Sequence, residues 1–118
     1  MINYIITNNL NNTLKDLLPR FTSEKITYIN STSPGLLLTI PDINHHSINY
    51  EIVNSLQQVI DKINDDNIYI IENLSKFNLE EYLLVQLFKK LSNRKKSFIV
   101  DNRKLTFIEL MCDDIIVM

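Results

Sequence analysis

Short apolar runs of strand length alternate along this chain with stretches whose apolar residues recur every three or four positions. The runs fall at residues 1–7, 25–30, 36–40, 68–71, 97–100 and 115–118, and most are rich in β-branched Ile and Val. Between the first two, Leu10, Leu14, Leu17, Leu18 and Phe21 follow helical spacing, and Pro19 ends or bends that helix. Ile52, Leu56, Val59, Ile60 and Ile63 fall on one face of a second helix, expected to start from a cap at Ser47 or Asn49. Leu79, Leu83, Leu84, Leu87, Phe88 and Leu91 give a third helix a wide apolar face. Asn78 is placed to cap it, Glu80 and Glu81 lie in its first turn, and Lys89, Lys90, Arg94 and Lys95 lie towards its end. A short helix is expected over residues 106–111. Strands that alternate with helices cannot pair as hairpins, so they pair in parallel through crossovers. The expectation is a single three-layer α/β domain over residues 1–118, with a mostly parallel sheet and helices on both faces.

The turns are made almost without glycine. Gly35 is the one glycine in the chain, and it stands beside Pro34 in an expected turn over residues 31–35. Asn8-Asn9 turns the chain after the first strand, because asparagine tolerates left-handed backbone. Asp65-Asp66-Asn67 makes another turn, and residues 41–47 read as loop. The chain contains no alanine and is rich in Asn, Ile and Lys, so an asparagine by itself carries little functional meaning.

Composition removes several function classes. A net charge of −2 favours neither a generic polyanion binder nor an acidic tail. Cys112 is the only cysteine, which excludes an internal disulfide framework and suits a reducing compartment. No basic segment followed by a long apolar one marks the N-terminus, and no apolar run approaches the ~20 residues of a membrane span. A cytoplasmic protein without membrane insertion is expected.

The second half of the chain carries a resemblance. Ile68-Tyr-Ile-Ile-Glu72-Asn73-Leu74-Ser75 resembles the Walker B strand of ABC-type ATPases: four apolar residues, an acidic position, and a turn leading to a helix. Ser97-Phe-Ile-Val-Asp101-Asn102 stands where that family has the strand ending in its switch histidine. Cys112-Asp113-Asp114-Ile115-Ile116-Val117-Met118 resembles the family's closing acidic-then-apolar strand. The similarity covers residues 68–118 and implies a P-loop NTPase-like core. The departures are specific. Glu72 takes the place of the metal-organising Asp, and Asn73 that of the water-polarising Glu; an amide is no base near neutral pH. Asp101-Asn102 replaces the histidine. After the first strand, Thr7-Asn-Asn-Leu-Asn-Asn-Thr13 stands where G-x-x-x-x-G-K-[ST] would hold phosphates, although Lys15 follows a few residues on. No L-S-G-G-Q signature is present, and Ser55-Leu56-Gln57-Gln58 falls inside the expected second helix. The resemblance therefore implies a hydrolytically dead member of that architecture acting as a structural subunit, with no cofactor and no catalytic residue. Glu72, Asn73 and Asp101 would be a vestigial Walker B site.

The remaining constellations admit two readings each. Glu72 and Asp101 end two strands, so they either approach a divalent cation and a phosphate or cap the turns that follow. His45-His46, with Asp42, offers too few ligands for a metal centre. Residues 89–104 hold Lys89, Lys90, Arg94, Lys95, Lys96, Arg103 and Lys104, which is 7 of the 12 basic residues. That run is either a nucleic-acid or partner contact or ordinary helix-end charge. Three functions follow: an interaction or assembly subunit with a protein partner or a second copy, a nucleic-acid accessory protein using the basic run, or a flavodoxin-like phosphate-binding domain. The last strand, 115–118, is expected at the centre of the sheet. Leu84, Phe88 and Leu91 are expected to widen the third helix face into a contact for assembly.

Overall fold

A computed structural model describes residues 1–21, 24–31 and 48–118. The expected turn at 31–35, the strand at 36–40 and the loop with His45-His46 lie wholly or largely outside these residues. Among the described residues six strands form one all-parallel sheet: β1 (Ile2–Ile6), β2 (Ile26–Asn30), β3 (Ile48–Ile52), β4 (Ile68–Glu72), β5 (Lys96–Asp101) and β6 (Asp114–Val117), in the order β3-β2-β4-β5-β1-β6. The helices among the described residues are α1 (Leu10–Leu17), α2 (Leu56–Asp61), α3 (Glu81–Ser92) and α4 (Thr106–Glu109), with 3-10 turns at Leu18–Phe21 and Leu74–Lys76. This is the three-layer α/β fold that the alternation predicts.

The strand period of two sorts the core into two layers. On one face Ile2, Tyr4, Ile29, Tyr69, Ile71 and Ile99 meet Val59 and Ile60 of α2, Leu83, Leu87 and Leu91 of α3, and Ile108 of α4. On the other, Ile5, Tyr28, Ile68, Ile70, Phe98 and Val100 meet Leu14 and Leu17 of α1 and the Leu18–Phe21 turn. Both central strands, β4 and β5, are buried on both sides, which is why their sequences are continuously apolar rather than alternating.

Four expectations need correction. The second helix does not begin near residue 49. Residues 48–52 are β3, with Ile52 exposed, and α2 starts only after Ser55. The Ser55 hydroxyl accepts the Gln58 N–H at 3.3 Å, and Gln58 Oε1 accepts the Asn54 N–H at 2.6 Å. This reciprocal cap makes Ser55-Leu56-Gln57-Gln58 the start of the helix, not its interior. The apolar spacing was misleading because Ile52 fits a helical face and a strand equally well. Second, α3 begins at Glu81 with Glu80 at its N-cap, so Asn78 is not the cap; Glu80 makes no side-chain cap bond. Third, Leu84, Phe88 and Leu91 are core rather than an assembly surface, because α2 packs beside α3 and covers the wider stripe. Fourth, among the described residues β6 is an edge strand, paired only with β1, and not central.

Candidate functional site

The strand order fixes where a ligand crevice can form. After β1 the chain leaves towards α1 on one face, whereas after β5 it leaves towards α4 on the other. β1 and β5 are neighbours, so their carboxyl ends part and open a crevice, the usual ligand position in open parallel sheets. A small cavity of ≈ 170 Å³ lies there, lined by Thr7, Asn8, Leu10, Asn73, Asp101 and Asn102. Asp101 at the end of β5, the turn after β4 at Asn73 and the segment after β1 therefore meet at this crevice.

The carboxylates that end β4 and β5 are engaged by the chain itself. Asp101 is 2% exposed. One of its carboxylate oxygens accepts the Ser75 N–H at 2.9 Å. The other accepts the Ser75 hydroxyl at 2.9 Å, the Asn102 N–H at 2.8 Å and the Arg103 N–H at 3.3 Å. It ties the turn after β4 to the turn after β5. Glu72, 8% exposed, accepts the Tyr28 hydroxyl and the Asn30 amide (3.0 Å) on Oε2, and the Asn73 amide on Oε1 at 3.2 Å. Burial raises its pKa above the ordinary carboxylate value, against the opposing pull of the Tyr28 hydrogen bond and of Lys76. Burial next to Glu72 likewise raises the Tyr28 phenol. Glu72 thus binds Tyr28 and Asn30 of β2 and is not among the residues lining the crevice that Asp101 borders.

Asn73 answers a backbone need. Its φ of 57° lies in the left-handed region, and it is the only non-glycine residue there among the described residues. That kink lets its N–H reach the Val100 carbonyl at 2.9 Å while the chain turns into Leu74–Lys76. Asparagine is among the side chains that tolerate this conformation.

The link after β1 is equally closed. Only Thr7, Asn8 and Asn9 separate β1 from α1. The Thr7 hydroxyl accepts the Asn9 N–H at 3.0 Å, Asn9 Oδ1 accepts the Asn12 N–H at 3.1 Å, and Thr13 donates its hydroxyl to Thr7 at 2.9 Å. Two of the backbone donors that a phosphate at this helix end would use are therefore held by side chains.

The basic run does not come together as one surface. Lys90 Nζ donates to the Ile60 carbonyl at 2.9 Å, and Arg94 reaches the Ile63 and Asn64 carbonyls at 3.4 and 3.3 Å, so both hold the end of α2. Lys95 pairs with Glu24 at 3.6 Å, and Lys96 lies over the Phe21 ring at 5.2 Å. Lys89 is exposed on α3. Arg103 and Lys104 follow β5, at the opposite end of a strand ~20 Å long, and Lys104 pairs with Glu109 at 3.1 Å.

Sequence reasoning missed Tyr4, Tyr28, Asn30 and Ser75. Tyr4 is fully buried; its hydroxyl donates to the Arg103 carbonyl and accepts the Leu105 N–H, each at 3.0 Å, which fixes the loop between β5 and α4. A tyrosine in an apolar strand run is the one signal that pointed to such a role, since a buried phenol needs a partner. The Cys112 thiol is pushed up to about 12 by burial and by Asp113, which disfavours the thiolate. Among the described residues no three His, Cys, Asp or Glu side chains are grouped to hold a metal, and no helix is long and apolar enough to cross a membrane. Comparison with protein-family models gave no match, and comparison with curated proteins gave none.

Proposed function

We propose that this protein is a non-catalytic interaction or assembly subunit built on a degenerate P-loop NTPase-like core. The observation that carries the reading is the closure of the switch-point crevice by the chain's own hydrogen bonds. Asp101 spends its lone pairs on the Ser75, Asn102 and Arg103 donors, and the donors at the start of α1 are taken by Thr7 and Asn9. Glu72 is turned towards Tyr28 and Asn30. Nothing in this arrangement offers a base for water or a cradle for phosphate. The resemblance to ATPases is supported by the meeting of Asp101 and the turn after β4 with the segment after β1. The assembly role is supported by the apolar surface on α3, α4 and β6, which is wide for a chain of this size.

The test is a turnover assay with Mg²⁺-ATP and Mg²⁺-GTP, run beside a Glu72→Ala control. Phosphate release at the level of the control is expected, with no nucleotide-dependent rise in the thermal midpoint. Mg²⁺-dependent release above the control defeats the reading.

A further inference from the structure

Ten large apolar side chains are exposed among the described residues, and all but Met1 and Ile52 lie on α3, on β6 or at its end, or on and just after α4. Leu110 is 80% exposed and Val117 72%. A cavity of ≈ 400 Å³ lined by Leu79, Val85, Phe107 and Met111 joins α3 to α4, so the surface is continuous. β6, which follows α4 in the chain, is the last strand of the sheet among the described residues and carries the exposed Ile116 and Val117. Solitary exposed apolar residues are ordinary, but a continuous apolar surface together with an exposed apolar edge strand is an interface feature.

The backbone of β6 shows what fits that edge. The Met118 N–H donates to the Ile6 carbonyl at 2.9 Å, and β6 pairs in register with β1 from Asn3↔Asp114 to Ile6↔Val117. Alternation along a parallel ladder then turns residues 114, 116 and 118 towards β1 and residues 115 and 117 outward. The Ile115 N–H accordingly finds no carbonyl on β1 and rests on Asp114 Oδ1 at 3.0 Å, in an exposed position. Two outward residues spaced two apart are the minimum that can pair with themselves about a two-fold axis.

We infer that β6 pairs antiparallel with β6 of a second copy of this chain, about a two-fold axis through Ile116, so that two six-stranded sheets join into one. This deepens the reading of the protein as an assembly subunit and rests on it. Ile115 and Val117 of one copy exchange backbone hydrogen bonds with Val117 and Ile115 of the other, giving four new bonds. Ile116 meets its own counterpart as the close, non-hydrogen-bonded pair. Asp114 then faces Met118 of the second copy, so the carboxylates do not oppose one another. Because the axis is perpendicular to the sheet, the α4 faces of both copies lie on one side. Phe107, Leu110 and Met111 close over Val117 from each half. A head-to-tail contact is disfavoured, because β3, the opposite edge among the described residues, carries Asn49 and Glu51, with Glu51 paired to Lys62 at 3.2 Å. The assembly therefore closes as a dimer rather than growing as a filament.

Sedimentation velocity at micromolar concentration tests this, with the expected mass twice the 13.8 kDa of one chain. Val117→Pro removes an outward N–H without touching the β1 ladder, and is expected to halve the mass while leaving the thermal melt in place. Ile116→Cys places thiols within disulfide reach across the axis and is expected to form a covalent dimer under mild oxidation, while Val117→Cys does not. A wild-type monomer, a Val117→Pro dimer, or crosslinking at 117 in preference to 116 each overturns the pairing. Ile116→Cys keeps the test decisive if the proline variant does not fold. Nucleotide turnover bears on the assembly-subunit reading alone, and these measurements bear on the dimer alone.

Discussion

Asp101→Ala separates a structural carboxylate from a functional one by the sign of its effect on stability. An acid held in a site for metal or catalysis is commonly a burden on the fold, and its removal stabilises. Asp101 is held differently. Its four accepted hydrogen bonds come from Ser75, Asn102 and Arg103 and join two turns. Truncation leaves the Ser75 N–H and hydroxyl without their acceptor in a partly buried turn, while the exposed Asn102 and Arg103 can turn their N–H groups to water. A hydrogen bond to a charged group contributes about 1.5–3 kcal/mol, and the water-accessible ones less. The expected loss is therefore about 2–4 kcal/mol, or roughly 10 °C in thermal midpoint for a domain of this size. Urea denaturation followed by circular dichroism measures it. Asp101→Asn is expected to lose less, since it keeps one acceptor oxygen. A stabilised Asp101→Ala protein would refute the assignment and return Asp101 to the class of ligand-binding acids.

Leu87 is fully buried between α3 and the sheet, and Leu87→Ala is expected to cost about 2–5 kcal/mol in chemical denaturation; a loss under roughly 0.5 kcal/mol would place α3 on the surface. Glu72 has a folded-state pKa raised by burial. Its contribution to stability is thus fully present below the unfolded value near 4.5 and is lost as pH rises through the folded value. Thermal midpoints of Glu72→Gln and the parent should therefore diverge in the variant's favour as pH rises above about 4.5; parallel curves would show that the carboxyl is not strained by burial. Arg94→Ala is expected to cost about 1 kcal/mol through the lost α2 carbonyl contacts and to leave retention on a DNA column unchanged. A lowered salt slope of DNA binding would instead make Arg94 a phosphate contact.

The fold was legible because two periodicities, near two and near 3.6, are written into the apolar residues, and strands that alternate with helices have few ways to pair. The boundary near residue 50 was not, because Ile52 satisfies both periods and only the cap at Ser55 separates them. The core role of Leu84 and Phe88 was hidden for a different reason. Their burial is set by α2 lying alongside α3, and no local pattern reports which helix neighbours which. The site shows the same division. The acids at the ends of β4 and β5 could be read as a pair, and the strand order does bring their turns together. Whether an acid faces a ligand or its own backbone depends on donors 26 to 44 residues away in sequence, namely Ser75 for Asp101 and Tyr28 for Glu72. The same limit governs β6. The run at residues 115–118 is as apolar as a central strand, and the sequence alone made a central position the better solution. Placing that strand at the edge does not weaken the physical objection to an exposed apolar strand; it transfers the need for cover from the chain to a partner. Asp114 holds one outward N–H of β6, which works against indiscriminate strand addition, and pairing about Ile116 sets no carboxylate against another.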